Sequence, residues 1–573
     1  ALVMHRRHVD LLGWLATTPT HPRIGASCSL QMRCLRSASY PKIRYGLIAP
    51  REGIPLLKSE NRSDEGPRGR RGGRTSRTAS RRLPSFIGPA EPLRRTIPTY
   101  ELLDEDDLLR LEEHSDWILD EIGVEIHDGE ALDLFRQAGA RVDGRQARFE
   151  PGLVRALCAT APPAFQMFGR NSASDITVGG DSVVFVPAYG PPFVSDLEGG
   201  RRYATIVDFE NFVKLTQLSP WMHHSGGTIC EPVDLPVNKR HLDMVYAHLR
   251  YSTKPFMGSV TSVERAEDSL QMARICYGTD YLDNHCVIQG NINVNSPLVF
   301  DRVMVDSLKA YARANQGCVI SPFILGGAMG PVTQPALVAQ ALAEAMVGIA
   351  LTQLIRPGSP MVLGVFLTTM NLRTGAPTFG TPEANLATYA IGQLVRRLNL
   401  PFRAGGHLTS SKVLDAQAAQ ESGDTMLVGL QAGANFVLQA AGWLEGGLVI
   451  GYEKFVFDLD RCGSHSRMLT GLLVDDNTLA ADAFREAGAG SNFLGVSHTM
   501  ANFETANYQS DLADDTSFEQ WSADGSLDSA HRANLRWKEM LANYHPPPFE
   551  QDVDEELRDF MDSKKASDED RWY

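Results

Sequence analysis

Short apolar runs, most of them followed by a segment of helical period, recur along this chain, and that repeat limits the fold more than any other feature. The runs begin near Ser225, Pro255, Cys286, Cys318, Met361, Pro401, Asn435 and Ser491. Strands buried on both faces read as near-continuous Val, Ile and Leu, and strands alternating with helices build a parallel sheet. Eight starts is the number that closes a (β/α)8 barrel. The first seven lie 30 to 43 residues apart, enough for a strand, a helix and two loops, and the eighth lies further on. Helix entries agree: Thr261 with Glu264 reads as a capping box, while Ser296-Pro297 and Thr381-Pro382-Glu383 each set a cap residue before a proline.

The expected fold is therefore α/β, a TIM (β/α)8 barrel over residues 225–510. An N-terminal α+β accessory region over 96–224 precedes it, and a C-terminal helical extension over 511–573 follows. In the accessory region Leu102 to Ile122 and Gly152 to Thr160 read as helices, and Val183–Val186 and Phe193–Asp196 as strands. Residues 1–95 carry 17 Arg and 2 Lys against 6 acids, a balance of +13. They lack hydrophobic period and are expected to be a disordered basic extension. The net charge of −14 then leaves −27 on the remainder, which argues against nucleic acid as a partner. With 573 residues, 43% of them hydrophobic, the chain can bury a large core. Its most apolar stretch, Ala339 to Ile355, contains Glu344 and Gln353 and has helical spacing, so no membrane span is expected and a cytoplasmic location is. The eight cysteines show no CxxC pair, and no HExxH occurs, so nothing points to a protein-ligated metal.

In a barrel the chemistry sits at the C-terminal ends of the strands, and these can be read in order. They give Glu231; Ser259 and Thr261; Asn291, Asn293 and Asn295; Gly326 and Gly327; Thr368 through Arg373; His407, Ser411 and Lys412; Gln439 and Trp443; and His498. Nearly every strand ends in polar or glycine residues, as a ligand site would require.

The run Gly330-Pro-Val-Thr333, the helix end Leu354-Ile-Arg-Pro357-Gly358, and Asn371-Leu-Arg373-Thr-Gly375 with Phe379-Gly-Thr-Pro382-Glu383 resemble the trimethylamine methyltransferase family. Ser411-Lys412-Val-Leu-Asp415-Ala-Gln417-Ala, Gly433-Ala-Asn435 and Phe493-Leu-Gly495-Val-Ser-His498-Thr continue the likeness, in the same order, over roughly residues 95 to 545. The resemblance implies a TIM barrel that moves a methyl group from a methylated amine to the Co(I) corrinoid of a separate small protein. No cofactor is then bound directly, and a homo-oligomer is expected. Archaeal members of the family use pyrrolysine near the end of the sixth strand. This chain has only ordinary amino acids and resembles the non-pyrrolysine branch, whose substrates are quaternary amines such as glycine betaine. A quaternary nitrogen departs as a neutral tertiary amine, so the enzyme must orient the N–CH3 bond rather than activate it.

A trimethylammonium head has no N–H to donate and is drawn to aromatic faces, for which Tyr189, Phe193, Phe366, Phe379 and Trp443 are candidates. Arg373 is the candidate clamp for a substrate carboxylate, and Lys412 a further cationic anchor. His407, Glu231 and Asn291 are expected at the reacting centre, and Gly326, Gly327 and His498 against the corrinoid. Each has a structural alternative: Phe193 and Phe366 as core, His407 as a hydrogen-bonded packing residue, Lys412 as a helix-start partner of Asp415. Two rival functions follow from the same residues. One is an aldolase-like barrel with a Schiff base on Lys412, and the other is a non-catalytic binder of quaternary amines.

Overall fold

A computed structural model describes residues 88–572. The expectation of disorder for the basic extension falls mostly outside them, although Leu93–Arg94 is a strand paired antiparallel with Val183 and Ser182. Seven parallel strands form one sheet: Ser182–Phe185, Phe436–Leu438, Phe402–Gly405, Met361–Gly364, Gly317–Gly326, Ile288–Val294 and Phe256–Met257, in that spatial order.

The segment from His223 to Gly227 closes this sheet into a barrel. The His223 N–H donates to the Phe185 carbonyl at 3.1 Å, and the Phe185 N–H donates to His223 Nδ1 at 3.1 Å. On its other side the Ser225 N–H reaches the Pro255 carbonyl at 2.8 Å, and the Met257 N–H reaches Gly226 at 2.7 Å. The segment thus fills the gap as an eighth stave. In chain order the staves begin at Ser182, and each is followed by an outer helix, from Ile206–Leu218 to Tyr452–Leu469.

The count of eight is as expected, but its membership differs. Ser182–Phe185, ahead of residue 225, supplies one stave, and residues 491–496 contain no strand. Its pattern was ambiguous because a hairpin, Phe193–Asp196 with Gly200–Tyr203, intervenes before its helix. Ser262, one residue after Thr261, caps the Val263–Tyr277 helix through the Arg265 N–H. Ser296-Pro297 lies in a turn, and Asp301 caps the next helix instead.

The apolar Gln334–Ile355 helix is 89% buried over its most hydrophobic window. The barrel strand Gly317–Gly326 lies on one side and the helices Glu105–Trp117 and Leu153–Cys158 on the other, which is why it is apolar all round. Inside it, Glu344 accepts the Leu298 N–H at 2.9 Å and the Gln340 amide at 2.8 Å, so the buried carboxyl is hydrogen-bonded. On the opposite flank Ser529–Ala542 packs on Tyr452–Leu469, and Gln551–Ser567 packs on Val263–Tyr277 and Arg240–Tyr251.

Candidate active site

Register decides which side chains fill the barrel, because paired residues of neighbouring strands point to the same face. Val184, Phe436, Val362 and Val319 form one inner cluster. Arg403 is paired with Phe436 and with Gly364, so it shares their inward face. Asn291 is paired with Val319, and Asn293 with Ser321. A valine-lined lower barrel is therefore topped by polar groups at the C-terminal ends of its strands.

One side of that mouth is neutral and polar. Ser321 Oγ donates to Asn291 Oδ1 at 2.9 Å, and the Tyr189 hydroxyl shares hydrogen bonds with Asn291 and Thr228. Burial pushes the Tyr189 phenol up to about 12, so it stays a neutral hydrogen-bonding group. Its ring lies over Gly227, where a Cβ would stand 2.7 Å from it, and Gly364 likewise leaves room for the Ser321 hydroxyl. Glu231 follows the same stave, and its carboxylate is held by Arg240 at 3.0 Å.

The other side carries aromatic rings and a guanidinium. Phe366, Phe379 and Trp443 meet with ring centroids 5.5 to 5.7 Å apart, Phe366 and Phe379 stacked and Trp443 edge-on to both. Two connections supply them: Phe366 and Phe379 come from the one between the Met361–Gly364 strand and the Pro382–Arg397 helix, and Trp443 from the one after Phe436–Leu438. The strand Trp443–Leu444 belongs to a rim sheet with Val449–Gly451 and the hairpin of Phe193–Asp196, and Gly447 lets the following turn lie against the Trp443 indole. The Trp443 indole N–H is buried with no hydrogen-bond partner among the described residues. Behind Phe366 and Phe379, against the Pro382–Arg397 helix, is a cavity of ≈ 30 Å³, large enough for a water and too small for a trimethylammonium group.

Arg403 lies beneath these rings, only 2% exposed, its guanidinium 5.1 Å from the Phe366 centroid. Nη1 donates to the Val365 carbonyl at 2.7 Å and Nη2 to Gln439 Oε1 at 2.8 Å, while Nε has no partner among the described residues. Burial pushes the guanidinium down to about 9, with no carboxylate opposing the shift.

Of the side chains expected at the site, the structure brings together Tyr189 with Asn291, and Phe366 with Phe379 and Trp443. Others stand elsewhere. His407 is 1% exposed and turned outward: its Nδ1–H donates to the Ala440 carbonyl at 2.6 Å, beside Asp458 and His465 of the Tyr452–Leu469 helix. Burial and the nearby Lys454 ammonium hold its pKa well below the ordinary histidine value, so it is a neutral packing group. Lys412 is exposed and donates to its own loop at the Ser410 carbonyl, 2.8 Å away, while Asp415 caps the Ala416–Gln431 helix. A solvated lysine tied to its own loop lacks the desolvated surroundings a Schiff-base amine needs, which removes the aldolase reading.

Arg373 is exposed at the tip of the loop between Met370 and Pro377, where no side-chain partner is seen among the described residues. Phe193 is stacked on Tyr203 and covered by Arg201 at 3.6 Å, in a cluster apart from Trp443. Gly326 and Gly327 do end a barrel strand, bridged to Gly330, with Leu372 and Val332 beside Gly327. His498 lies on the Ser497–Asn502 helix and meets the Asn477 carbonyl at 2.7 Å, within a segment after the last barrel helix. Sequence reasoning missed Arg403, Ser321 and Thr228. For Arg403 the available signal was a charged residue two positions before Gly405 in an otherwise apolar strand.

The family model for trimethylamine methyltransferase matches residues 70–568. A glycine betaine methyltransferase of Desulfitobacterium hafniense (strain Y51) is 37% identical over 466 residues, covering 81% of this chain and 97% of that protein. A proline betaine:corrinoid methyltransferase of Eubacterium limosum is 30% identical, covering 68% and 82%. A trimethylamine methyltransferase of Desulfitobacterium hafniense (strain DSM 10664 / DCB-2) is 27% identical, covering 78% and 90%. A solved monomethylamine methyltransferase of Methanosarcina barkeri superposes with a TM-score of 0.46 at 10% identity, over 78% of this chain and 90% of that one. The match spans the barrel and the regions on either side of it, and the chain belongs to the trimethylamine methyltransferase family.

Proposed function

We propose that this protein transfers a methyl group from a quaternary amine of the glycine betaine class to the reduced corrinoid of a separate small protein. The observation that carries the reading is the set of three aromatic rings, Phe366, Phe379 and Trp443, gathered at the strand ends of a methyltransferase-family barrel. Ring faces attract a trimethylammonium head by their quadrupoles, worth ~1–2 kcal/mol per desolvated contact, and ask for no N–H in return. The C–N bond breaks with its electron pair going to nitrogen, which leaves as a neutral tertiary amine, while the methyl carbon passes to the Co(I) of the acceptor. No proton has to move on the amine, in keeping with a mouth whose Tyr189, Asn291 and Ser321 are neutral hydrogen-bonding groups. The chain's own part is to bind, orient and dehydrate the N–CH3 group.

Exposed apolar side chains on the loops of that face support docking of a protein acceptor there. They include Val332 at 57%, Leu372 at 69% and Val413 at 61% exposure. The direct test mixes the purified protein with glycine betaine and Co(I) cobalamin under anoxic conditions and follows the spectrum. The reading requires conversion to the methylcobalamin spectrum with dimethylglycine formed in equal amount. No change with glycine betaine, proline betaine or carnitine overturns it in favour of a non-catalytic binder.

A further inference from the structure

We propose that Arg403 is the receptor for a carboxylate on the substrate, so that the site takes amino-acid betaines in preference to quaternary amines without an acid group. The inference rests on the reading above for the quaternary head, and adds what the other end of the molecule must be.

Position comes first. Arg403 faces the barrel interior in register with Gly364 and Phe436, and its guanidinium lies at the level of Val365 and Gln439, where the strands end. Next come its donors. A guanidinium has five N–H groups; here one on Nη1 and one on Nη2 are engaged, and the Nε–H is buried without an acceptor. The unengaged donors include Nε–H and a further N–H on each terminal nitrogen, the fork that matches two carboxylate oxygens.

Charge comes third. Buried charges are ordinarily paired, and this one has only a carbonyl and an amide oxygen. A purely structural tie between Val365 and Gln439 could be made by a neutral amide, without the cost of burying a cation. Gln439 itself is held at φ 62°, uncommon for a residue with a side chain, and from there its Oε1 accepts from Arg403. The guanidinium also stands against the Phe366 face, next to the rings proposed for the trimethylammonium head. A molecule whose cation and carboxylate are joined through one or two carbons fits two such neighbouring receptors.

The test measures binding without any corrinoid. The full-length protein is titrated calorimetrically with glycine betaine, with its neutral methyl ester and with choline. Glycine betaine is expected to bind at least about 100-fold tighter than either, since truncating one partner of a buried charge pair costs that much or more. Arg403→Met should erase the preference while leaving choline affinity within about 3-fold, and Arg403→Lys should retain part of it. Ester and choline binding within 3-fold of glycine betaine, or a preference that survives Arg403→Met, overturns the assignment. If Arg403→Met does not fold, Arg403→Lys, which keeps the charge but not the fork, decides it: a preference undiminished in that variant overturns the assignment. The binding preference is independent of turnover. Selective binding that is lost on substituting Arg403, without methyl transfer, would remove the proposed function and leave Arg403 as the receptor. Equal transfer from choline and glycine betaine would do the reverse.

Discussion

Acidification from pH 7.5 to 5 should destabilise this protein steeply, because several buried histidines are held neutral by bonds that a second ring proton would break. His223 Nδ1 accepts the Phe185 N–H, and its Nε2–H meets the Glu91 carbonyl at 3.1 Å. His224 Nδ1 accepts the Gly226 N–H at 2.9 Å. His248 donates from Nε2 to the Gly227 carbonyl at 2.8 Å, so its Nδ1 must accept from the Ser225 hydroxyl at 2.7 Å. Burial pushes His223, His248 and His465 down to about 4, and His224 and His407 well below the ordinary value. In the window between those values and about 6.5 the unfolded chain binds the extra protons, so the stabilisation is complete above the window and is lost as pH falls through it. Asp458, raised to about 6 by burial, opposes them, as do Asp116, Glu344 and Asp511, which burial also raises, since the folded state takes up protons there as pH falls. A net uptake of about two to four protons on unfolding gives a slope of about 3–5 kcal/mol per pH unit near pH 5.5, so about two units consume much of a typical domain's stability. Urea midpoints at pH 7.5, 6.0, 5.5 and 5.0 measure it, and His465→Leu should lower the slope by about 1.4 kcal/mol per pH unit. A slope below that figure in the unmodified protein would mean that less than one proton is linked to folding, and the neutral-histidine argument would fail. The first element lost should be the His223–Gly227 stave, which carries Gly227 and Thr228 to the Tyr189 side of the mouth.

Trp443→Ala should raise KM for glycine betaine by about 10-fold, the loss of roughly one desolvated cation–ring contact, while Trp443→Phe stays within about 3-fold; equal KM for the two variants would make the ring a packing element only. Gly227→Ala would set a methyl 2.7 Å from the Tyr189 ring and 2.8 Å from Met257. Overpacking of that kind costs ~1–3 kcal/mol, so a lower melting temperature together with weaker substrate binding is expected, and an unchanged KM would detach Tyr189 from the site. Lys412→Ala and Arg373→Ala should each leave steady-state methyl transfer within about 2-fold, as surface substitutions usually do; a 10-fold loss in either would return that residue to the mechanism.

The barrel was legible because a strand covered on both faces is written as a continuous apolar run, as in Cys318-Val-Ile and Met361-Val-Leu. One stave escaped that rule. Ser182–Phe185 has the run but is followed by a hairpin before its helix, so it read as part of an accessory layer. The stave at His223–Gly227 was expected as the run near Ser225, although it is polar and its pairing depends on a histidine ring as well as on backbone groups. The aromatic residues were legible as candidates one by one. That Phe366, Phe379 and Trp443 converge while Phe193 does not depends on the rim sheet, whose pairing of Val449 with Phe193 joins segments more than two hundred residues apart.

The two arginines show where sequence reading of a site has its physical limit. Arg373 sits among glycines and threonines in a loop, Arg403 inside an apolar strand, and hydropathy alone favours the loop residue as the one free to meet a ligand. Register reverses the choice. Because Arg403 alternates with Ala404 and aligns with Gly364, its guanidinium enters the barrel, where it is desolvated and has no carboxylate partner among the described residues, whereas Arg373 remains in water. A charge in water gives up hydration for every contact it makes with a ligand, so its net gain is small. A charge already buried has lost that hydration during folding, and a carboxylate arriving beside it is attracted in a low-dielectric setting with little further to displace. The fold's investment in burying Arg403 is therefore recovered only when an anion binds, which makes this residue, rather than the exposed one, the determinant of which methylated amine the mouth accepts.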